Sequence, residues 1–159
     1  MIIREITSAD WPKILKIQSA VYTDVAPESL DVLQDKVNQS KGTCFVCEIG
    51  NDVVGYLLSH PWAGEQPPKL HKKLNLIKHC EFCFLHDLAI DPAYKGKGYG
   101  HELVKKFIES VSLNSYKSCR LVAIQGAEKF WIKHGFQSIK LMNPTDDYGE
   151  SAVLMELLF

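Results

Sequence analysis

The residues best suited to chemistry lie close together, in the run HDLAIDPAYKGKGYGH from His86 to His101. Imidazole titrates nearer neutrality than any other side chain, so His86 is the candidate for taking a proton at physiological pH. Asp87 beside it can orient the ring or act as a separate carboxylate for a substrate; a histidine satisfied within the core is the plainer alternative. Downstream, Lys95, Gly96, Lys97, Gly98, Tyr99 and Gly100 form a basic turn punctuated by glycines. Alternate glycines allow positive φ and remove Cβ atoms that would hold a ligand off the backbone, so several N–H groups can converge on one anion. A phosphate or pyrophosphate suits such a site, and an ordinary glycine-rich turn is the simpler reading.

Two elements must position these groups. FCFLHDLAI, from Phe82 to Ile90, is rich in aromatic and branched residues and stops at Asp91 and Pro92, which predicts a strand that ends at the site. Strict alternation puts His86 on one face with Phe84, Leu88 and Ile90, and leaves Glu81 and Asp87 on the other. No acid then shares the imidazole's face unless a bulge reverses the parity. From about Gly100, residues Leu103, Val104, Phe107, Ile108 and Val111 fall on one helical face, with His101, Glu102, Lys105, Lys106 and Glu109 around the rest. The glycine turn is therefore a helix N-terminus, where free amides, the helix dipole and Lys95 and Lys97 all favour negative charge.

Neither common nucleotide fingerprint is present, since the chain has no GxxxxGK[ST] and no GxGxxG leaving a first strand. Strand, Asp-Pro, basic GxGxG turn and amphipathic helix together resemble the acetyl-CoA-binding motif of the GCN5-related N-acetyltransferases (GNAT). Lys95 stands where that family usually has arginine or glutamine, keeping the charge without the planar fork, and Gly98 and Gly100 match. A second block, AEKFWIKHGF from Ala127 to Phe136, is similar to the family's AxxFYxxxGF, with Trp131 replacing the tyrosine. The resemblance is strongest from Leu85 to Phe136.

The resemblance implies one α/β (α+β) domain over residues 1–159, with a central mixed, mostly antiparallel sheet of about seven strands flanked by about four helices. It implies acetyl-CoA as acyl donor and a small-molecule or peptide amine as acceptor, reacting directly in a ternary complex. Backbone groups of Leu88, Ala89 and Ile90 would pair with the pantetheine arm, and Lys95, Gly96, Lys97, Gly98, Tyr99, Gly100 and His101 would hold the phosphates. His86 is the candidate base. The family's tyrosine acid cannot be carried onto Trp131, whose indole N–H has no useful acidity, so Tyr148 is the nearest tyrosine candidate and solvent the other. The helical pair before the sheet hairpin would cover the acceptor cleft, making residues near Val21 to Ala26 substrate contacts, with plain packing the alternative. Dimers are common in the family, so a homodimer is open. A non-catalytic acyl-CoA-binding or sensing module is the competing function.

Composition narrows the partners. At 159 residues the chain can bury roughly 70% of its unfolded surface, and a net charge of -1 argues against nucleic acid or an anionic membrane, both of which want a basic excess. The N-terminus lacks an apolar signal core and no run approaches a membrane span, which reads as cytoplasmic. Cys44, Cys47, Cys80, Cys83 and Cys119 are then reduced thiols. The two CxxC pairs number enough ligands for zinc, but both sit in strand-like runs where residues three apart face opposite ways. No metal is expected, and His60, His71, His79 and His134 receive no role.

The remaining chain reads as a strand from Met1 to Glu5, a helix capped by Thr7 or Ser8 and running through Trp11, Ile14 and Ile17, and a weakly amphipathic helix from Glu28 to Gln39. Cys44 to Ile49 and Val53 to His60 form a hairpin around Gly50, Asn51 and Asp52. Pro61 to Gln66 read as a loop in which Trp62 plugs the core or lines a pocket, and Lys69, Lys72, Lys73 and Lys78 as a solvated face or a substrate loop. Arg120 to Gln125 is a buried strand, Ala127 to His134 a short helix, and Phe136 to Leu141 and Ala152 to Phe159 are final strands.

Overall fold

The sheet grows outward from the hairpin. A computed structural model describes residues 1–75, 80–140 and 146–159. In it β2 (Phe45–Ile49) and β3 (Asp52–Trp62) pair antiparallel around Gly50. β1 (Ile2–Glu5) adds to β2, and β4 (Phe82–Ile90) adds to β3, both antiparallel. β5 (Ser118–Ala123) joins β4 in parallel, and β7 (Val153–Leu158) and β6 (Gln137–Ser138) complete the far edge antiparallel. The order β1-β2-β3-β4-β5-β7-β6, with four α-helices, is the mostly antiparallel mixed sheet that the resemblance implies.

Each face of the sheet has its own core. α3 (Tyr99–Leu113) presents Leu103, Val104, Phe107 and Val111 to Val54, Leu57, Cys83 and Leu85, and α4 (Glu128–Ile132) adds Trp131 to the same cluster. α1 (Trp11–Val21) and α2 (Leu30–Gln39) pack Ile14, Ile17 and Leu33 against Val46, Tyr56, Leu58 and Ala89. Asp10 anchors the start of α1: its carboxylate accepts from Thr7 N–H at 2.7 Å and from Arg4 at 2.8 Å. The Arg4 hydrogen bond, helped by Thr7, outweighs burial and brings Asp10 down to about 2.

Several boundaries differ from the sequence expectation, β5 starting and ending two residues earlier among them. β3 continues through Pro61, opposite Cys83, to Trp62, because a proline withholds only an N–H and can still occupy extended backbone. α2 begins at Leu30, leaving Glu28 outside the helix and free to reach the sheet. Only Gln137–Ser138 of the expected 136–141 strand pairs with β7, and Leu141 lies outside the described residues. α2 is weakly amphipathic for a specific reason: its buried stripe is Val32, Leu33 and Lys36, so a lysine occupies a position that apolar periodicity would fill.

Two irregularities set up the site. β3 pairs Leu58 with Asp87 but Ser59 with Leu85, so His86 is the extra residue of a bulge. The parity expected for β4 therefore reverses there. Phe84 stacks on His60 and His86 reaches α2, while past the bulge Asp87 and Ala89 share that side and Leu88 and Ile90 pack on the α3 side. The second irregularity is that β4 and β5 pair only from Phe82↔Ser118 to Leu85↔Leu121.

Gly55 fixes the register beside the bulge, since a Cβ there would meet Ala89 O at 3.0 Å and Ile90 Cδ1 at 2.4 Å. Gly55→Val should cost about 1–3 kcal/mol through overpacking, read as a lower urea midpoint. Unchanged stability would mean that β3 and β4 do not approach so closely.

Candidate active site

Beyond Leu85 the two parallel strands diverge and a cleft of about 310 Å3 opens between them. Asp91 N–H donates to Val54 C=O at 2.8 Å. The alternation of an antiparallel ladder then turns Ala89 and Asp87 toward β3, and Leu88 and Ile90 toward the fork. Of the three residues expected to offer their backbone, Ala89 pairs with Tyr56, whereas Leu88 and Ile90 line the cleft, facing Leu121, Val122 and Ile124 across it.

At one end the cleft meets the glycine turn. Gly96 and Gly98 have φ of +80° and +85°, and no atom lies within 4 Å of where a Cβ would stand. Gly98 caps α3, so the first amides of the helix face outward from a cradle without side chains. Gly100 is helical, against Ile90 and Phe130. Lys95 and Lys97 are exposed, the latter with its Nζ 5.1 Å from the centre of the Tyr94 ring. The His101 ring packs tilted against Phe130, and its Nδ1 is 2.9 Å from Nε2 of His134, which pairs a histidine given no role with one expected beside an anion.

The other end holds a buried charge network. His86 has a side chain only 2% exposed, with Nε2 hydrogen-bonded to Glu28 Oε1 and 3.1 Å from Lys36 Nζ. Lys36, fully buried, donates to Glu28 Oε2 at 2.8 Å, and the same oxygen accepts from His71 N–H at 2.8 Å. Burial by itself would raise the Glu28 carboxyl, but His86 and Lys36 outweigh it and hold it well below the usual carboxylate range. Burial pushes Lys36 down, against the attraction of Glu28. Nδ1 of His86 is buried without a hydrogen-bond partner.

Asp87 forms a second knot on the same side. Tyr56 donates to it at 2.6 Å, and Tyr22 O lies against both Asp87 and the Leu88 carbonyl, 2.9 Å from the latter. A phenol has one proton for those two oxygens. It is shared between the Asp87 carboxyl and the Leu88 carbonyl. Burial pushes the Asp87 carboxyl up, against the pull of His86 and the two tyrosine hydroxyls. His60 behind the network is brought down to about 3, chiefly by burial and then by His86.

Tyr148 and Trp131 both line the cleft. The Tyr148 hydroxyl donates to Pro68 C=O at 2.6 Å, and burial pushes its pKa well up. Val21, Tyr22, Val25 and Ala26 also line the cleft, whereas Trp62 sits apart with its indole donating to Gln66 C=O at 2.8 Å. Lys69, Lys72 and Lys73 are exposed; Lys78 and His79 lie outside the described residues.

The model of the acetyltransferase (GNAT) family matches residues 3–136. The chain belongs to this family. Solved structures share its fold: Ard1 from Thermoplasma volcanium aligns with a TM-score of 0.77 at 18% identity, over 99% of this chain and 96% of that one. Arabidopsis thaliana Naa50, in complex with the bisubstrate analogue CoA-Ac-MVNAL, gives 0.75 at 12% identity over 99% and 98%. The GphF GNAT-like decarboxylase, in complex with isobutyryl-CoA, gives 0.81 at 15% identity over 99% of each chain. A search of curated proteins returns no match.

Glu28, Lys36 and Tyr56 are the site residues that sequence reasoning missed, whereas Tyr22 lies within the stretch from Val21 to Ala26 read as substrate contacts or plain packing. No spacing links Glu28 to a histidine on β4; the only hint was a lysine interrupting the apolar repeat of α2. Glu28→Gln should leave Lys36 buried without its counter-ion, at about 3–5 kcal/mol. Because the folded pKa of Glu28 is depressed, its contribution is complete above the unfolded value near 4.3 and fades as pH falls through the folded one. The stability gap to wild type in chemical denaturation should thus be widest at neutral pH and close in acid. A constant gap would mean that Glu28 is not the ionised partner.

Proposed function

We propose that the chain is an acetyl-CoA-dependent N-acetyltransferase that transfers an acetyl group to a primary amine in a ternary complex. The observation that carries this reading is the open backbone edge at Leu88 and Ile90, leading along the fork to the side-chain-free cradle at the start of α3. An extended pantetheine arm can add there as a strand would, and its phosphates meet the helix N-terminus between Lys95 and Lys97. His101 joins through its backbone and Tyr99 through its place in the first turn. The five cysteines, all free thiols, suit a reducing cytoplasm.

The bound thioester supplies an activated acyl group: the amine nitrogen bonds to its carbonyl carbon, the carbon–sulfur bond breaks, and the ammonium proton must be removed. An alkylamine is mostly protonated at neutral pH, and freeing its lone pair costs about 4–5 kcal/mol. His86 is the base in this scheme. With Nε2–H donating to Glu28, neutral His86 carries its lone pair on Nδ1, the atom with no protein partner. Lys36 keeps Glu28 ionised, and Glu28 holds the tautomer. Tyr148 is a poorer acid than the resemblance would want, since its proton already serves Pro68 and burial strengthens its hold, so solvent is the source for the departing thiolate.

That shortage of an acid, with Trp131 at the tyrosine position, also favours a second reading, an acyl-CoA sensor that binds the thioester without turnover. Gly98→Glu, which puts bulk and negative charge in the cradle at a positive φ, should abolish acetyl-CoA binding by calorimetry; unchanged affinity would misplace the site. His86→Ala should lower kcat by about 100-fold or more at neutral pH while acetyl-CoA binding persists. An unaltered pH-rate profile would remove His86 as the base, and binding without turnover in the wild type would favour the sensor.

A further inference from the structure

The cleft differs chemically from end to end, and the end away from the glycine turn is unusually poor in unsatisfied polar groups. Each polar side chain there is already committed within the protein. Tyr22 serves Asp87 and the Leu88 carbonyl, and Tyr148 serves Pro68. The Gln125 amide donates to Val21 C=O and accepts from Thr23 N–H, both at 3.3 Å. Gln18, with its amide oriented to satisfy both contacts, pairs with the backbone C=O and N–H of Glu28 at 3.2 and 3.3 Å. Nδ1 of His86, on a side chain almost wholly buried, is the exception.

Charge is equally one-sided. Among the described residues no lysine or arginine lines the cleft, and Lys36 is fully buried with its Nζ spent on the Glu28 carboxylate. The acids Glu28 and Asp87 do line it. The remaining wall is apolar and half open to solvent: Val21, Val25, Ala26 and Leu70. A carboxylate or phosphate on the acceptor would find no cation on the lining, since Lys36 is spent on Glu28, and a peptide's amides would leave water without replacement partners. An alkyl or aryl body loses nothing in that exchange and gains by covering the apolar wall.

We propose that the acceptor is a primary monoamine on an apolar body, an aliphatic or arylalkyl amine without a nearby carboxylate, whose nitrogen docks at the His86 end of the cleft. The inference rests on the acetyltransferase reading and narrows its acceptor. Specificity then comes from exclusion: the lining offers anionic acceptors no counter-ion and the committed hydrogen bonds turn away polar ones. The glycine turn beyond the cleft, with Lys95 and Lys97, is left to the phosphates of the donor.

The test is steady-state kinetics of the intact protein with saturating acetyl-CoA, reading CoA release, across a set matched in shape: 2-phenylethylamine, hexylamine, phenylalanine, a peptide beginning with phenylalanine, and spermidine. The two simple amines should exceed phenylalanine, the peptide and spermidine in kcat/KM by at least about tenfold. A preference for any of those three over both simple amines overturns the inference while leaving an acetyltransferase in place. Turnover of none, with calorimetric acetyl-CoA binding intact, overturns the acetyltransferase reading itself. In Val25→Arg, which sets a cation on the apolar wall, the ratio of phenylalanine to 2-phenylethylamine turnover should rise; a fall or no change in that ratio speaks against an acceptor body lying on this wall.

Discussion

Four residue pairs of parallel ladder, from Phe82↔Ser118 to Leu85↔Leu121, hold β4 to β5, and the site begins where they stop. Backbone N–H and C=O groups are strong and obligatory hydrogen-bonding groups, so strands that part in the middle of a sheet leave an edge that calls for a guest. On one side of the parting the chain leaves β4 through Asp91 and Pro92 to the glycine turn and α3; on the other it leaves β5 toward α4 and Trp131. The crossover through α3 makes parallel pairing of β4 and β5 possible, and the same crossover delivers a helix N-terminus to the mouth of the fork. Cleft and anion cradle therefore arise from one topological decision.

The bulge at His86 is the second decision. Without the extra residue, His86 and Asp87 would project to opposite faces of the sheet, one toward α3 and one toward α1 and α2. With it, both reach the α1/α2 side within a few ångströms of Glu28, Lys36, Tyr22 and Tyr56. A buried lysine, glutamate and histidine are expensive to desolvate and add little net stability. They are tolerable here because Glu28 bonds both Lys36 and His86 and gains the His71 N–H besides. The outcome is a rigidly oriented imidazole beside an apolar cavity, a setting in which one unpartnered nitrogen stands out.

The contrast between the two ends of the cleft follows from where charge can be afforded. At the glycine turn Lys95 and Lys97 extend into solvent and cost nothing to keep ionised. At the other end Lys36 and Glu28 are enclosed and cancel one another, and the rest of the wall is largely apolar.

Local pattern was enough for the strand Phe82–Ile90, whose bounds match the expectation, for the hairpin around Gly50 and for the glycine turn as a helix start, because each rests on interactions between residues near in sequence. The sheet class and the family were likewise readable, since the order of elements and two motif blocks carry them. Alternation along β4 failed at one residue: a bulge is set by the pairing partner β3, and nothing in FCFLHDLAI announces it. The Glu28–Lys36–His86 network was invisible for the same reason, since 58 residues separate Glu28 from His86 and only the packing of α2 on the sheet brings them together. By itself the sequence determined most of the segments that become strands and helices and the glycine turn that opens α3. The tertiary structure decided which side chains face one another across the sheet, because long-range contacts and the dielectric they enclose do not exist until the chain has folded.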